Sequence, residues 1–205
     1  MTAGRRNDTS LSHHWCTPPK YVSVIRAFFG GSITLDPCSN SHSIVKAEKE
    51  YSLPHHDGLA EPWDSPSIFV NPPYGADRQR GTKIKDWLRK CAASHEKFGA
   101  EVLALIPVAT NTSHWKLYVW GAASAVAFLY DTRLRFLVNG ADVGKGAPMS
   151  CAMVYWGGRV AEFKDAFGRF GAVVELGDLH GHRAAASEPR TLFSYTTPKA
   201  REAAE

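Results

Sequence analysis

The sequence lacks the features that mark several large classes of protein. It has only four cysteines, at Cys16, Cys38, Cys91 and Cys151. No two of them form a Cys-x-x-Cys pair, and no cluster of cysteine and histidine has zinc-site spacing, so we expect reduced thiols and no metal site. No run approaches the roughly 18 apolar residues of a membrane span. The first residues, MTAGRRNDTSLSHH, contain no hydrophobic segment of a secretory signal, so the expected compartment is the cytoplasm.

The chain also lacks a large net charge of either sign. Lys and Arg number 24 and Asp and Glu 20, which gives a formal net charge of +4. This small excess permits an acidic partner without establishing one. With 44% hydrophobic and 21% charged residues, the composition excludes wholesale disorder, a collagen-like repeat and a coiled coil. A chain of 205 residues without internal repeats fits one compact domain.

Apolar runs of strand length alternate with amphipathic helical segments. We expect strands at 33–36, 67–70, 101–107, 124–130, 149–156 and 172–176. We expect helices that begin at Pro18-Pro19, cover 84–98 and 161–170, and include a short helix at 115–120 capped by Asn111 or Thr112. Residues 37–66 are predicted to be mostly irregular. The alternation predicts an α/β sheet with helices on both faces.

One edge of this sheet is predicted to be antiparallel. Residues 133–138 precede Asn139-Gly140, a strong turn signal, and 149–156 form the next apolar run. We therefore expect a mixed, mostly parallel sheet with a hairpin of these two segments at its edge.

The most specific motif is Asn71-Pro72-Pro73-Tyr74, directly after the apolar strand 67–70. Active sites of open α/β sheets lie outside the carboxyl ends of the strands. Two successive prolines remove two backbone donors and stiffen the turn. The Asn71 side chain and the Pro72 carbonyl can then accept both hydrogens of an exocyclic amine, and Tyr74 can stack on a planar ring. The motif therefore predicts chemistry at an amine conjugated to a ring.

Cations follow this motif closely. Between residues 75 and 90 the basic residues are Arg78, Arg80, Lys83, Lys85, Arg89 and Lys90, against two acids, Asp77 and Asp86. Such an excess beside the motif predicts contacts with nucleic-acid phosphates, with a solvated helix face as the alternative. A second candidate surface consists of Arg133, Arg135 and Lys145. These arginines either read base edges in the major groove or form surface salt bridges.

Together with the motif, four other segments resemble the small phage-type, Dam-like DNA N6-adenine methyltransferases. They are Trp15-x-Thr17-Pro18, Leu35-Asp36-Pro37-Cys38, Asp57-Gly58-Leu59 and Arg133-Leu134-Arg135-Phe136. The resemblance covers roughly residues 13–157. It implies a Rossmann-like class I methyltransferase fold and the cofactor S-adenosylmethionine. The implied reaction methylates the N6 amine of an adenine flipped out of double-stranded DNA.

The resemblance also implies roles for individual residues. The implied catalytic residues are Asn71, Pro72, Pro73 and Tyr74. Asp57 matches the position that binds the adenine amine of the cofactor. The other implied cofactor-binding residues are Trp15, Thr17, Pro18, Asp36, Cys38, Asn40, Gly58, Leu59 and Asn71. For the DNA, we expect Arg78, Arg80 and Lys83 to contact phosphates and Arg133 or Arg135 to read bases. The acid that binds the cofactor ribose stays open between Glu48 and Glu50.

The chain departs from the wider methyltransferase pattern in one place. Many methyltransferases carry a Gly-x-Gly loop after the first strand, where this chain has Asp36-Pro37-Cys38-Ser39-Asn40. The cofactor therefore cannot be held by a glycine loop here. Each cofactor position also has a structural alternative, because Trp15 can be a core aromatic and Asp36 and Asp57 can be turn residues.

Domain organisation and rival functions complete the expectations. Residues 1–12 are predicted to be a flexible arm, 13–180 the methyltransferase catalytic domain and 181–205 a polar tail. Rival substrates are cytosine N4, RNA adenine and a protein glutamine amide. Cytosine N4 enzymes more often have Ser at the position of Asn71. A rival of another class is a non-catalytic DNA-binding module on the same fold. A palindromic target would go with a homodimer in a bacterial or phage-infected cell.

Overall fold

The computed structural model describes residues 15–131, 133–142, 144, 147 and 149–177. The expected N-terminal arm (1–12), the polar tail (181–205) and Lys145 lie outside the described residues. Among the described helices, none is long and apolar enough to cross a membrane.

Short strands and three α-helices make up the described chain. The strands are β1 (Trp15–Cys16), β2 (Leu35–Asp36), β3 (Lys49–Glu50), β4 (Ser67–Val70), β5 (Glu101–Pro107), β6 (Ala125–Leu129), β7 (Leu137–Val138), β8 (Ala141–Asp142), β9 (Cys151–Trp156) and β10 (Gly171–Glu175). The helices are α1 (Pro19–Phe28), α2 (Ile84–Phe98), α3 (Val160–Phe167) and a short π-helix, Trp115–Trp120. This order confirms the predicted alternation of strands and helices.

Seven of these strands form the central sheet, in the order β10-β6-β9-β5-β4-β2-β3. Strands β3, β2, β4 and β5 are parallel neighbours, while β9 is antiparallel to both β5 and β6, and β10 is antiparallel to β6. Five strands therefore run in one direction, and their carboxyl ends share one edge of the sheet. We call this edge the carboxyl edge.

Helices cover both faces of the sheet, as the sequence predicts. Helices α1 and α3 pack on one face with Leu103 and Leu105 of β5. Helix α2 and the π-helix pack on the other face with Val102 and Ala104 of the same strand. Because both faces are covered, the five consecutive residues 102–106 of β5 are all apolar and buried. The result is a three-layer α/β domain with two apolar cores.

The expected hairpin at the edge of the sheet is wrong. Strand β9 lies in the middle of the sheet, between β5 and β6. All six of its residues are buried, which suits a strand with neighbours on both sides and helices on both faces. The turn at Asn139-Gly140 instead joins β7 to β8, which form a separate antiparallel sheet with β1. Both turn residues have positive φ, 51° and 80°, as a tight two-residue hairpin requires.

One smaller expectation is confirmed and another needs correction. Residues 37–66 are mostly irregular, as predicted. The segment 37–66 contains strand β3, which pairs in parallel with β2. With only two residues, both polar, β3 gives no periodic signal. The expected cap of the short helix is also absent, because the Thr112 hydroxyl donates to the carbonyl of Ala109 at 2.7 Å and caps nothing.

Candidate active site

The motif and the predicted cofactor residues meet at the carboxyl edge. Asn71 follows the last residue of β4, and Asp36 is the last residue of the neighbouring strand β2. Glu50 ends β3 and is paired in register with Asp36. Ligand sites of open α/β sheets lie in this position because side chains and loops converge there without a covering helix.

Asn71 is held by its amide nitrogen. Its Nδ2 donates to the backbone carbonyl of Trp15, at 3.3 Å, and this carbonyl belongs to β1 of the small sheet. Among the described residues nothing donates to the Asn71 Oδ1 atom. The side chain is therefore fixed by one end and keeps its carbonyl oxygen as an acceptor for a ligand.

Tyr74 is fixed by its hydroxyl and by aromatic contacts. The hydroxyl donates to the carbonyl of Leu105 at 3.1 Å, and burial raises the pKa of the phenol well above its usual value. The ring meets Trp15 and Phe136 nearly at right angles, with centroids at 5.9 and 5.7 Å. Trp15 and Phe136 stack on each other at 5.1 Å. These three rings form one wall of the site, which we call the aromatic wall.

Sequence analysis assigned no separate role to Phe136, a member of this wall. Leu134 and Phe136 are buried, whereas Arg133 and Arg135 between and before them are exposed. Alternation of apolar and charged residues was the signal that could have found it.

Asp36 is a buried carboxyl at the end of β2. Its side chain is 4% exposed and accepts a hydrogen bond from the backbone N–H of Cys38 at 3.1 Å. Burial, with a smaller contribution from Glu50, raises the pKa of Asp36 to about 7. No salt bridge to Asp36 is found in the described part of the chain. A buried carboxyl of this kind favours a cationic ligand.

Two hydroxyls near this carboxyl are unsatisfied. Thr17 Oγ1 is buried and forms no hydrogen bond with the described residues, and the buried Ser39 Oγ faces the Asp36 carboxyl without forming a hydrogen bond of good geometry. Cys16, next to Thr17, contacts the Asn40 side chain with 3.6 Å between Sγ and Oδ1. The sequence segments around Thr17 and Asn40 therefore lie together, as a common ligand pocket requires. Buried polar atoms are normally hydrogen-bonded, so these two hydroxyls fit a polar ligand.

The Asp57-Gly58-Leu59 loop packs against the turn after β2. A Cβ on Gly58 would lie 1.7 Å from the carbonyl oxygen of Pro37, so only glycine permits this approach. The Asp57 carboxylate accepts from the N–H of Leu59 at 2.9 Å. Burial alone would raise the pKa of Asp57, but the Arg80 guanidinium and the backbone N–H groups of Leu59 and Ala60 together outweigh burial and hold this pKa below its usual range. The structure thus brings Asp57 and Asp36 to the same side of the motif.

The family model for DNA N-6-adenine-methyltransferase (Dam) matches residues 6–181. The chain belongs to the Dam family. Its activity at family level is therefore methylation of adenine N6 in DNA, and the resemblance found in the sequence is confirmed. No curated protein and no solved structure matches the chain.

DNA is the substrate partner of a Dam-family chain, and the structure sorts its cations into two groups. Arg78, Lys83, Arg133 and Arg135 are exposed. Arg80 and Lys90 instead turn toward the Asp57 loop. Lys90 Nζ donates to the carbonyls of Gly58 at 3.0 Å, of Leu59 at 2.8 Å and of Glu61.

The inward role of these two cations was missed in the sequence. Both stand in a basic run, and nothing local distinguishes them from their exposed neighbours Arg78 and Arg89. Only the contacts of these two side chains with the Asp57 loop show the difference. In the described ranges, no group of three or more His, Cys, Asp or Glu side chains could hold a metal ion.

Proposed function

We propose that this Dam-family chain transfers a methyl group from S-adenosylmethionine to the N6 amine of an adenine in double-stranded DNA. The observation that carries the proposal is the Asn71 side chain, which is anchored through Nδ2 and keeps Oδ1 open at the carboxyl edge. A Rossmann-like methyltransferase fold agrees with the three layers and with the position of the site.

The motif supplies two acceptors for one amine. Asn71 Oδ1 and the carbonyl of Pro72 accept the two hydrogens of the N6 amine, and this localises the nitrogen lone pair that is otherwise delocalised into the ring. S-adenosylmethionine supplies an electrophilic methyl group when bound. Because the amine becomes acidic only as it is alkylated, no strong base is needed. Catalysis then rests on positioning and electrostatics.

The target adenine leaves the duplex in this proposal. Its plane stacks on the ring of Tyr74, whose hydroxyl is held by Leu105 and whose described ring neighbours meet it edge-on. A ring that cannot turn loses little entropy when a base stacks on it. Base flipping costs a few kcal/mol, which phosphate contacts by Arg78 and Lys83 help to offset.

The cofactor pocket in this proposal lies between the Asp36 turn and the Asp57 loop. S-adenosylmethionine has a cationic sulfonium and ammonium group, a ribose diol and an adenine amine. Asp36 and the unsatisfied hydroxyls of Thr17 and Ser39 suit the cationic, polar end, and Asp57 suits the adenine amine. Glu50 suits the ribose, since it ends the strand beside β2, where dinucleotide folds place their ribose-binding acid.

Two measurements test the proposal together. Calorimetric titration of the purified chain with S-adenosylmethionine should show binding, and mass spectrometry of nucleosides from treated DNA should show N6-methyladenine. Methylation of cytosine N4, of RNA or of a protein amide would replace the proposed substrate. Cofactor binding that is absent, with DNA binding intact, would favour the non-catalytic module. Single-molecule sequencing of methylated DNA then gives the target sequence.

A further inference from the structure

Arg80 lies in the loop after the motif but is turned away from solvent. Its buried Nη2 atom makes a close ionic contact with Oδ1 of Asp57, although the two atoms lack the alignment of a hydrogen bond. Its Nη1 atom lies 3.8 Å from Oδ2 of Asp77, and its backbone N–H donates to Oδ1 of Asp77 at 3.0 Å. The side chain is 21% exposed. Arg80 is thus enclosed by two carboxylates.

The loop that carries Arg80 is closed by its own backbone. Asp77 and Thr82 exchange two backbone hydrogen bonds, of 2.9 and 3.1 Å. Gly81 turns the chain with φ of 67°, a conformation that favours glycine. Reaching out to a phosphate would cost the Arg80 side chain its ionic contacts with Asp57 and Asp77. The exposed neighbour Arg78 has no ion pair in the described part of the chain and needs no such rearrangement.

We propose that Arg80 is a positioning residue that holds the Asp57 carboxylate for the adenine amine of the cofactor, and is not a phosphate contact. This inference rests on the proposed function, because it needs Asp57 in the cofactor pocket. A guanidinium suits the task, since its planar fork can hold one carboxylate while a second carboxylate holds it. The two acids in contact with Arg80 come from different segments, so Arg80 also joins the Asp57 loop to the segment beside the motif.

Among the described residues, the cations that face Asp57 are Arg80 and Lys90. Arg80 contacts it from the loop, and Lys90 faces it from helix α2 while donating to the carbonyls of its loop. Glu61 in the same segment pairs with His56 at 3.1 Å, and Asp77 faces Asp57 only through Arg80. Removal of Arg80 therefore takes away the nearest cation, and protonation of Asp57 then becomes easier.

The test compares two substitutions with the same loss of charge in the same loop, Arg80→Gln and Arg78→Gln. Calorimetry of the DNA-free chain should show that Arg80→Gln weakens S-adenosylmethionine binding by about tenfold. As pH is lowered, the affinity of Arg80→Gln for S-adenosylmethionine should begin to fall at a higher pH than that of the wild-type chain, because Asp57 is protonated more easily. The salt dependence of DNA binding should stay unchanged in Arg80→Gln, whereas Arg78→Gln should lower its slope by about one unit and keep cofactor affinity.

A double-mutant cycle separates positioning from general structure. If Arg80 acts through Asp57, Arg80→Gln should cost no further cofactor affinity in the Asp57→Asn background. Arg80→Lys keeps the cation and should keep the pH at which affinity falls. Additive losses, or a salt slope that falls in Arg80→Gln as in Arg78→Gln, would overturn the inference. If the wild-type chain and Arg80→Gln bind the cofactor equally well, this inference alone is wrong. If the wild-type chain binds no cofactor, the proposed function is wrong as well.

Discussion

The two edges of the central sheet both carry charged side chains, but only the carboxyl edge leaves a buried carboxyl, that of Asp36, without an ion pair among the described residues. The opposite edge of the sheet, where β5 begins, is called the closed edge here. There the Glu101 carboxylate forms an ion pair with Arg159 and accepts a hydrogen bond from the Tyr155 hydroxyl at 2.7 Å. Arg159 also donates to the carbonyl of Phe28 at 2.9 Å. Burial would raise the pKa of Glu101, but these donors outweigh it, and the pKa lies below its usual value.

At the carboxyl edge the same kinds of group are left open. Asp36 is buried with a raised pKa, and the hydroxyls of Thr17 and Ser39 form no hydrogen bond of good geometry with the described residues. Asn71 has a partner at its nitrogen and none, among the described residues, at its oxygen. A closed network stabilises the fold, whereas an open one is costly unless a ligand completes it. From this difference we expect the groups around Glu101 to stabilise the fold and the groups at the carboxyl edge to bind ligands.

The largest effect should come from Asn71→Ala. This change removes one of the two proposed acceptors for the amine in the transition state. Turnover should fall by about a hundredfold or more, by analogy with loss of one oxyanion-hole donor. Cofactor affinity and thermal unfolding should change little, because only one hydrogen bond to Trp15 is lost with it. Turnover near the wild-type rate would show that the open oxygen has no part in the chemistry.

The second effect concerns pH and Asp36. The pKa of this carboxyl is about 7 in the folded chain, against an ordinary value of 3.8. Between these two pH values the folded state binds more protons than the unfolded state, so its stability should fall as pH rises from about 4 to about 7. A cationic ligand favours the ionised carboxylate. Cofactor affinity should therefore rise over the same interval and level off above about pH 7.

Asp36→Asn separates these two consequences. The variant cannot ionise at this position, so free protein should be more stable than wild type above about pH 7, and cofactor affinity should fall and lose its rise with pH. Thermal unfolding and calorimetric titration across this pH range measure both. If the cofactor affinity of Asp36→Asn keeps the wild-type pH profile, the cationic end of the cofactor does not bind beside Asp36.

At the closed edge, Glu101→Gln should affect stability alone. The change leaves Arg159 without its carboxylate and weakens the acceptor of Tyr155. Losing one partner of a buried pair costs about 3–5 kcal/mol. Since the Arg159 side chain is 40% exposed, water replaces part of the contact, and we expect about 2–3 kcal/mol in urea unfolding. Turnover per folded molecule should be unchanged, and a large loss of turnover would contradict the division between the edges.

Much of the carboxyl edge could be predicted from the sequence, because the signals of its motif and helix are local in the chain. Strand β4 and the motif are adjacent in the chain, and helix α2 has a strong apolar periodicity ended by Gly99 with φ of 67°. The closed edge gave no such signal, since Glu101 and Arg159 are 58 positions apart. The place of β9 depends on non-local pairing in the same way. Periodicity reports which face a residue buries, and it does not report the partner across the sheet.

Base reading should depend on Arg133 and Arg135. Both are exposed, while the buried Leu134 and Phe136 hold the segment against the core and the aromatic wall. A side chain on a segment held in this way can present its guanidinium to a guanine with little loss of backbone entropy. Replacing a base-reading arginine by Ala should cost about 1–3 kcal/mol on the cognate duplex and relax discrimination. If both variants keep full discrimination against a scrambled duplex, target reading lies elsewhere.

The smallest effect should come from Lys83→Gln, and helix α2 supplies its control. The helix leaves from the carboxyl edge after β4 and ends just before β5, at the closed edge. Lys83 and Lys97 are exposed near its two ends, so the same Lys→Gln change can be made at each edge of the sheet. Only Lys83 stands beside the proposed DNA surface. Titration of duplex DNA at several salt concentrations should show a slope lower by about one unit for Lys83→Gln and an unchanged slope for Lys97→Gln. Equal slopes in the two variants would mean that the charge of Lys83 acts only as solvated surface, and that the phosphates are held by other residues of the carboxyl edge.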